Sequence, residues 1–423
     1  MKSSLSVIAV FIAAACAFEA YAQTEDIKYE APPRVSPDRV LGPALLRSGN
    51  HRVREEVRTR ANWLEFEIES DFGSYKALSI PMVAVRVHEI RTLAQAVDQF
   101  RRNNQQLAES LRGKLEVGAD SFVDILTSPL STTSQIVKQF RVNVARTFDE
   151  IREGSPEASE KIADERSIYH GFEPGDPILA SHKRNVASQL NLDFYSSNPR
   201  VQEFLDTVAA ARGAGRVSAG VVTISLPQGR EFRPAGGRVD ASVRTAMTHN
   251  TINQLYARNF DRLVSSGVPE ALANAFLSHP VLSPSHKTKL TEQVAYLDGV
   301  ENRGALLRAA LSAASEEEAL SFVQTGNLLF AYSERSGSLK SIAAAGHMVL
   351  AVTSDGAIAV MLPLDVLYWN RETREIFSGL QAFARSKGFK RHAVISSSII
   401  TESAKRGLYA LGFELEERYL ETR

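Results

Sequence analysis

Three residues near the C-terminus have the types that hydrolysis needs: Ser397 as a nucleophile, His392 as a base and Asp365 as an acid. His392 to Ser397 reads as a strand that runs out into Ser397, Ser398 and Thr401 at the start of a helix. Open α/β sheets bind ligands at the carboxyl ends of their strands, and a helix N-terminus furnished with hydroxyls can hold an anion. Ser397, Ser398 and Thr401 are therefore the candidate ligand-binding residues, and Asp365, His392 and Ser397 the candidate catalytic ones. The competing reading is structural: Thr401 caps its own helix and the serines satisfy a turn.

Familiar catalytic spacings are absent. There is no Gly-x-Ser-x-Gly elbow, no serine three residues before a lysine, and no His-Glu-x-x-His. His279 and His286 are seven apart with Pro280 and Pro284 between them, so one helix face cannot present both. They read as solvated loop histidines, no metal ligand set is nominated, and no cofactor is called for. The order helix, hairpin, helix, strand around Asp365 approximates a nuclease core, but no Asp-x-Lys or Glu-x-Lys stands on these strands. Tyr368 and Trp369 are more simply core than an exposed aromatic platform. Glu65, Glu67 and Glu69 form an acidic strand face that reads as a solvated edge.

The elements that would position these groups define an α+β, mostly helical chain, with an N-terminal β-hairpin plus helices, a helical middle and a small C-terminal α/β unit with a mixed sheet. Lys2, the apolar stretch Leu5 to Ala17 and the small-x-small Ala20-Tyr21-Ala22 read as a signal peptide over residues 1–22. Residues 23–50 carry Pro32, Pro33, Pro37 and Pro43 without a sustained period and read as a flexible arm. In 51–153, Leu64, Phe66 and Ile68 alternate with glutamates, Asp71-Phe72-Gly73-Ser74 turns the chain, and Val83, Val87, Ile90, Leu93, Val97 and Phe100 stripe one helix. A second amphipathic run follows Pro129. A linker is placed at 154–180.

The helical region 181–335 opens with Ser181 as a possible cap, followed by Asn198-Pro199, an apolar run Val217 to Leu226, and a long helical period over Val239 to Val264. Ser315 with Glu318 forms a capping box for a helix to about Tyr332. In 336–423, Ser341 to Thr353 and Ala357 to Leu362 flank Asp355-Gly356, a hairpin signal. Asn370 caps a helix, His392 to Ser397 is a strand, Thr401 caps another helix, and Phe413 to Arg418 is a last strand. Two β-α-β links imply a partly parallel sheet.

Lys and Arg total 49 and Asp and Glu total 49, so no global field draws the protein to nucleic acid. The single cysteine, Cys16, falls in the leader, which leaves no thiol or disulfide after cleavage. An alternative reading makes Cys16 the acceptor of a lipid anchor. No later segment is apolar enough to cross a membrane.

At Trp63 to Ile90, with Ser70-Asp71-Phe72-Gly73 leading into a helix, and again at Leu190 to Leu205, the chain resembles a family of signal-peptide-bearing exported proteins of proteobacteria. The resemblance implies export and an envelope or periplasmic setting, and it carries over no functional residue. The expectation is an exported envelope protein with a binding or structural role, its partner an envelope protein or assembly. The alternative is a hydrolase with a scattered site in the C-terminal unit.

Overall fold

The computed structural model describes residues 27–116, 121–123, 168–217 and 237–421. The leader, with Cys16 and the small-x-small cleavage pattern, the helix expected after Pro129 and the strand expected from Val217 to Leu226 lie wholly or almost wholly outside these residues.

The N-terminal sheet is built on β3 (Trp63–Ser70), which pairs antiparallel with β1 (His51–Val53), β2 (Arg58–Arg60) and β4 (Gly73–Leu78). Ser70 faces Gly73 across the expected turn. Because β3 has neighbours along both sides, its glutamates are not on an edge. Glu67 and Glu69 lie on a half-buried face under Arg52 and Arg54, which pair with them at 2.6 Å. Leu64, Phe66 and Ile68 point the other way, into a core shared with α2 (Ile80–Asn103).

After α1 (Pro43–Leu46), α2 and α3 (Gln105–Leu115), the helical region comprises α4 (Pro177–Leu190), α5 (Pro199–Gly213), α6 (Gly237–His249), α7 (Ile252–Ser265), α8 (Glu270–Leu277), α9 (Pro284–Tyr296), α10 (Ala305–Ala310) and α11 (Glu316–Arg335). Asp176, not Ser181, caps α4, accepting from Ile178 N ahead of Pro177 in the first turn. The long period from Val239 is broken at Asn250, and Thr251 with Gln254 forms a complete capping box that starts α7. Asn198, Ser283 and Ser315 cap α5, α9 and α11 as expected.

In the C-terminal unit, β5 (Leu339–Ala345) and β6 (Met348–Thr353) are two strands where one apolar run suggested a single strand, because the chain reverses at Gly346 with φ 61°. β6 and β7 (Ala357–Leu362) form the expected hairpin at Asp355-Gly356. β8 (Val366–Leu367), α12 (Arg371–Ser386), β9 (Arg391–Ser396), β10 (Ile399–Ile400), α13 (Glu402–Ala410) and β11 (Phe413–Glu416) complete the chain. The main sheet runs β11-β9-β7-β6-β5, with β7, β9 and β11 parallel, and β8 and β10 form a small parallel pair.

This sheet is covered on both faces, which is why its central strands β6 and β7 are near-continuous apolar runs. Val349, Ala351, Ala359, Met361 and Ile395 join one cluster with the helices of the middle region. Leu350, Ile358, Val360 and Val394 join another under α12 and α13 with Trp369, Phe377 and Leu408. The fold is thus α+β and mostly helical, with an antiparallel sheet at one end and a mixed sheet at the other. No helix among the described residues is long and apolar enough to span a membrane.

The stretch read as a flexible arm is fastened from Ile27 onward. Glu30 N donates to Trp369 O at 2.7 Å, and Thr59 Oγ1 donates to Pro33 O. Prolines stiffen this segment without removing the carbonyls and side chains that bind it.

Candidate functional site

The three residues nominated for catalysis are not brought together. Asp365 sits between β7 and β8 and is 3 % exposed. Its carboxylate accepts from Leu64 N at 2.9 Å and from Ile80 N at 3.1 and 3.2 Å. Burial pushes this carboxyl up to about 7, against the pull of those two backbone donors.

His392 is the second residue of β9 and Ser397 follows its end, so five residue steps along an extended strand, roughly 16 Å, separate them. His392 Nε2 lies 3.3 Å from Leu411 O, and the ring packs edge-on against Phe413. Burial lowers its pKa. Ser397 Oγ donates toward Leu364 O at 3.2 Å. Ser398 N and Oγ both engage Ser396 Oγ, at 3.1 and 2.6 Å. Thr401 caps α13 by accepting from Ala404 N, and its hydroxyl donates to Glu30 Oε2 at 2.6 Å. Each hydroxyl of the candidate ligand site is therefore engaged within the chain.

The aromatic pair after Asp365 is core. Trp369 is fully buried and its ring lies against Gly407, where an added Cβ would come within 2.5 Å of it. The histidines read as solvated are not: His279 is 5 % exposed, with Nε2 3.2 Å from Leu311 O, and burial lowers its pKa. His286 lies in the first turn of α9 and its pKa is lowered to about 4 by burial.

The densest polar arrangement lies elsewhere, where α2, the turn before α5 and the start of α11 meet. Arg86 is 1 % exposed and binds Glu89 at 3.0 and 3.2 Å, Glu316 at 2.8 Å and Ser197 Oγ at 2.9 Å. Ser196 Oγ and Asn198 Nδ2 donate to the two oxygens of Glu89 at 2.5 and 2.9 Å. Ser197 Oγ donates to Glu316 at 2.6 Å. Nearby, Asp193 accepts from Ser285 Oγ and Tyr195 N, and burial pushes it up to about 6.

A serine hydrogen-bonded to a glutamate has the geometry of a nucleophile with its base. Here the same glutamate oxygen is already bound by Arg86, and the serine is 7 % exposed. The cluster ties three chain segments together; it does not present a free base to solvent. Burial opposes the charge on Arg86, but Glu89 and Glu316 more than offset it and hold the guanidinium above its ordinary value.

The apolar stripe that marks α2 in the sequence does not include Arg86 or Glu89. The available signals were Arg86 and Glu89 three apart, the Ser196-Ser197-Asn198 run before Pro199, and Glu316 in the first turn of α11.

Lys287 on α9 is 8 % exposed, with no carboxylate of the described residues in ion-pair range, and burial lowers its pKa to about 7. A groove of about 1040 Å³ opens between α3 and α5, lined by Ser110, Lys114, Asp206, Thr207 and Arg216 among others. Lys114 crosses it to Thr207 at 3.3 Å and Glu203 at 3.5 Å. Among the described residues no three His, Cys, Asp or Glu side chains are placed to hold a metal ion.

No family model, curated protein or solved structure matches the chain.

Proposed function

We propose that the protein is a binding or structural component of the bacterial envelope, carried there by the leader read in residues 1–22. One observation carries the non-catalytic half of this reading. The best candidate acid, base and nucleophile stand apart, and each is engaged with main-chain atoms. Catalysis needs such groups within hydrogen-bond reach of one another or of a shared substrate. The resemblance to exported proteins supports an envelope protein as partner, and the neutral charge balance supplies no global field for nucleic acid. The groove between α3 and α5 offers mixed polar and charged walls, which suit a polypeptide surface.

The test is photo-cross-linking in native cells from probes placed at Ser110 and Thr207, followed by mass spectrometry of the envelope fraction. Reproducible capture of one envelope protein is the expected result. Recovery of the chain in the cytoplasm with its leader intact overturns the location, and turnover of an envelope-derived substrate by the purified protein overturns the role. Radiolabelled fatty acid retained by the wild type and lost in Cys16→Ala would identify a lipid anchor.

A further inference from the structure

The N-terminal arm is seated on the C-terminal unit as a peptide ligand would be. Ile27 packs against the apolar cluster under α12 and α13. Tyr29 Oη accepts from Arg374 Nη1 at 3.0 Å. Glu30 exchanges two hydrogen bonds with Trp369: its N–H donates to the Trp369 carbonyl at 2.7 Å, and its carboxylate accepts from Trp369 N at 2.9 Å. The same carboxylate oxygen accepts from Thr401 Oγ1 at 2.6 Å, beside the first turn of α13. A glutamate at a helix N-terminus is favoured by the helix dipole and by charge-assisted hydrogen bonds.

The receiving face is therefore complementary to one short extended sequence, Ile27-x-Tyr29-Glu30, with an apolar contact, a phenol acceptor and a carboxylate each met by a separate group. Beyond it, Pro32 and Pro33 hold the arm extended and away from helix or sheet. An extended segment with stiff residues behind it, bound through its own side chains, is the type of element that identical chains exchange.

We propose that the face formed by Trp369, Arg374 and Thr401 is a docking site for the N-terminal arm of a second copy of this chain, with its own arm as the resident occupant. Exchange preserves the contacts of Ile27, Tyr29 and Glu30, since each face receives the same sequence it holds in the monomer. A tethered arm acts at an effective concentration in the millimolar range, so the monomer dominates in dilute solution. Crowding of copies, as on a membrane surface, shifts the balance toward exchange. This inference concerns the purified chain and does not depend on where the protein acts.

Two variants test it by complementation. Glu30→Ala weakens the arm and leaves the face intact. Thr401→Asp keeps a good helix cap but sets a carboxylate against Glu30, which weakens the face and leaves the arm intact. Each is expected to sediment as a monomer. An equimolar mixture at about 100 µM, below the effective concentration of a tether, is expected to form a heterodimer, because one undamaged arm then meets one undamaged face.

A labelled peptide covering residues 24–34 is expected to bind Glu30→Ala at least tenfold more tightly than it binds Thr401→Asp. Circular dichroism and melting confirm that both variants fold. A mixture that stays monomeric while the peptide binds overturns exchange between copies. Absence of peptide binding to folded Glu30→Ala overturns the docking site itself.

Discussion

Asp365 and Ile80, 285 residues apart in the chain, share one helix start: both carboxylate oxygens of Asp365 lie within 3.2 Å of Ile80 N in the first turn of α2. Ser79 caps the same helix by accepting from Met82 N, so two backbone donors are satisfied by two side chains from opposite ends of the sequence. The Asp365 carboxylate also accepts from Leu64 N, and Asn62 Nδ2 donates to Val366 O. The C-terminal unit is thereby bound to the N-terminal sheet through main-chain groups. Asp365→Ala leaves two buried N–H donors unmet and is expected to destabilise the protein by about 2–4 kcal/mol.

The pH dependence of this tie has a definite sign. Burial raises the folded pKa of Asp365 to about 7, above its unfolded value, so its contribution is fully present below pH 4 and is lost as pH rises through 7. His286, whose folded pKa is lowered to about 4, acts in the opposite sense, its contribution being lost as pH falls below 6.5. Comparison with Asp365→Asn isolates the first effect. The melting temperature of the wild type relative to this variant is expected to fall from pH 4 to pH 8, and a constant difference would show that Asp365 stays ionised throughout.

Arg86 is the hub of the buried network, so its removal strands two carboxylates. Arg86→Met is expected to cost about 3–5 kcal/mol in chemical denaturation, because Glu89 and Glu316 lose their counter-charge in a dry setting. In a double-mutant cycle with Glu316→Gln, the second substitution should cost markedly less once Arg86 is gone. Additive costs would mean that the pair does not hold α11 to α2.

Much of the C-terminal unit was legible because β6 and β7 are buried on both faces and each helix announces itself with a capping residue. Asn370 and Thr401 bear this out, each accepting an N–H from its own first turn. The Arg86 cluster was not legible, because α2 is covered on more than its apolar stripe and a charged residue reads as solvent-facing unless its partners are known. Glu316 lies 230 positions from Arg86, and no local spacing reports that separation. Asp365 drew notice as a possible acid for a sound reason, its place after a hairpin. Its actual partners are backbone N–H groups that every residue but proline carries, so the sequence held no mark of them.

Gly407 on α13 is present for space. A Cβ there would stand 2.5 Å from the six-membered ring of Trp369, whose side chain is fully enclosed. Gly407→Ala, normally favourable within a helix, is expected to destabilise by about 1–3 kcal/mol through this overlap. Trp369→Phe shortens the ring that would be struck. The double variant should therefore be less destabilised than the sum of the two single variants, as measured by urea unfolding. Full additivity would place the Gly407 requirement elsewhere.

Lys287 is a buried amine with no carboxylate of the described residues in ion-pair range, on a helix packed between other helices. Burial lowers its folded pKa to about 7, whereas the unfolded chain holds the proton until about 10.4. Between those values the unfolded state binds more protons, so stability rises with pH across that interval. Lys287→Met keeps the length of the side chain and removes the charge. It is expected to stabilise the protein on the order of 3 kcal/mol at pH 7 and to confer progressively less as pH approaches 10. The measurement is the melting temperature of both proteins at pH 7, 8, 9 and 10. A variant less stable than wild type at pH 7 would mean that the amine has a functional or structural partner that holds its charge.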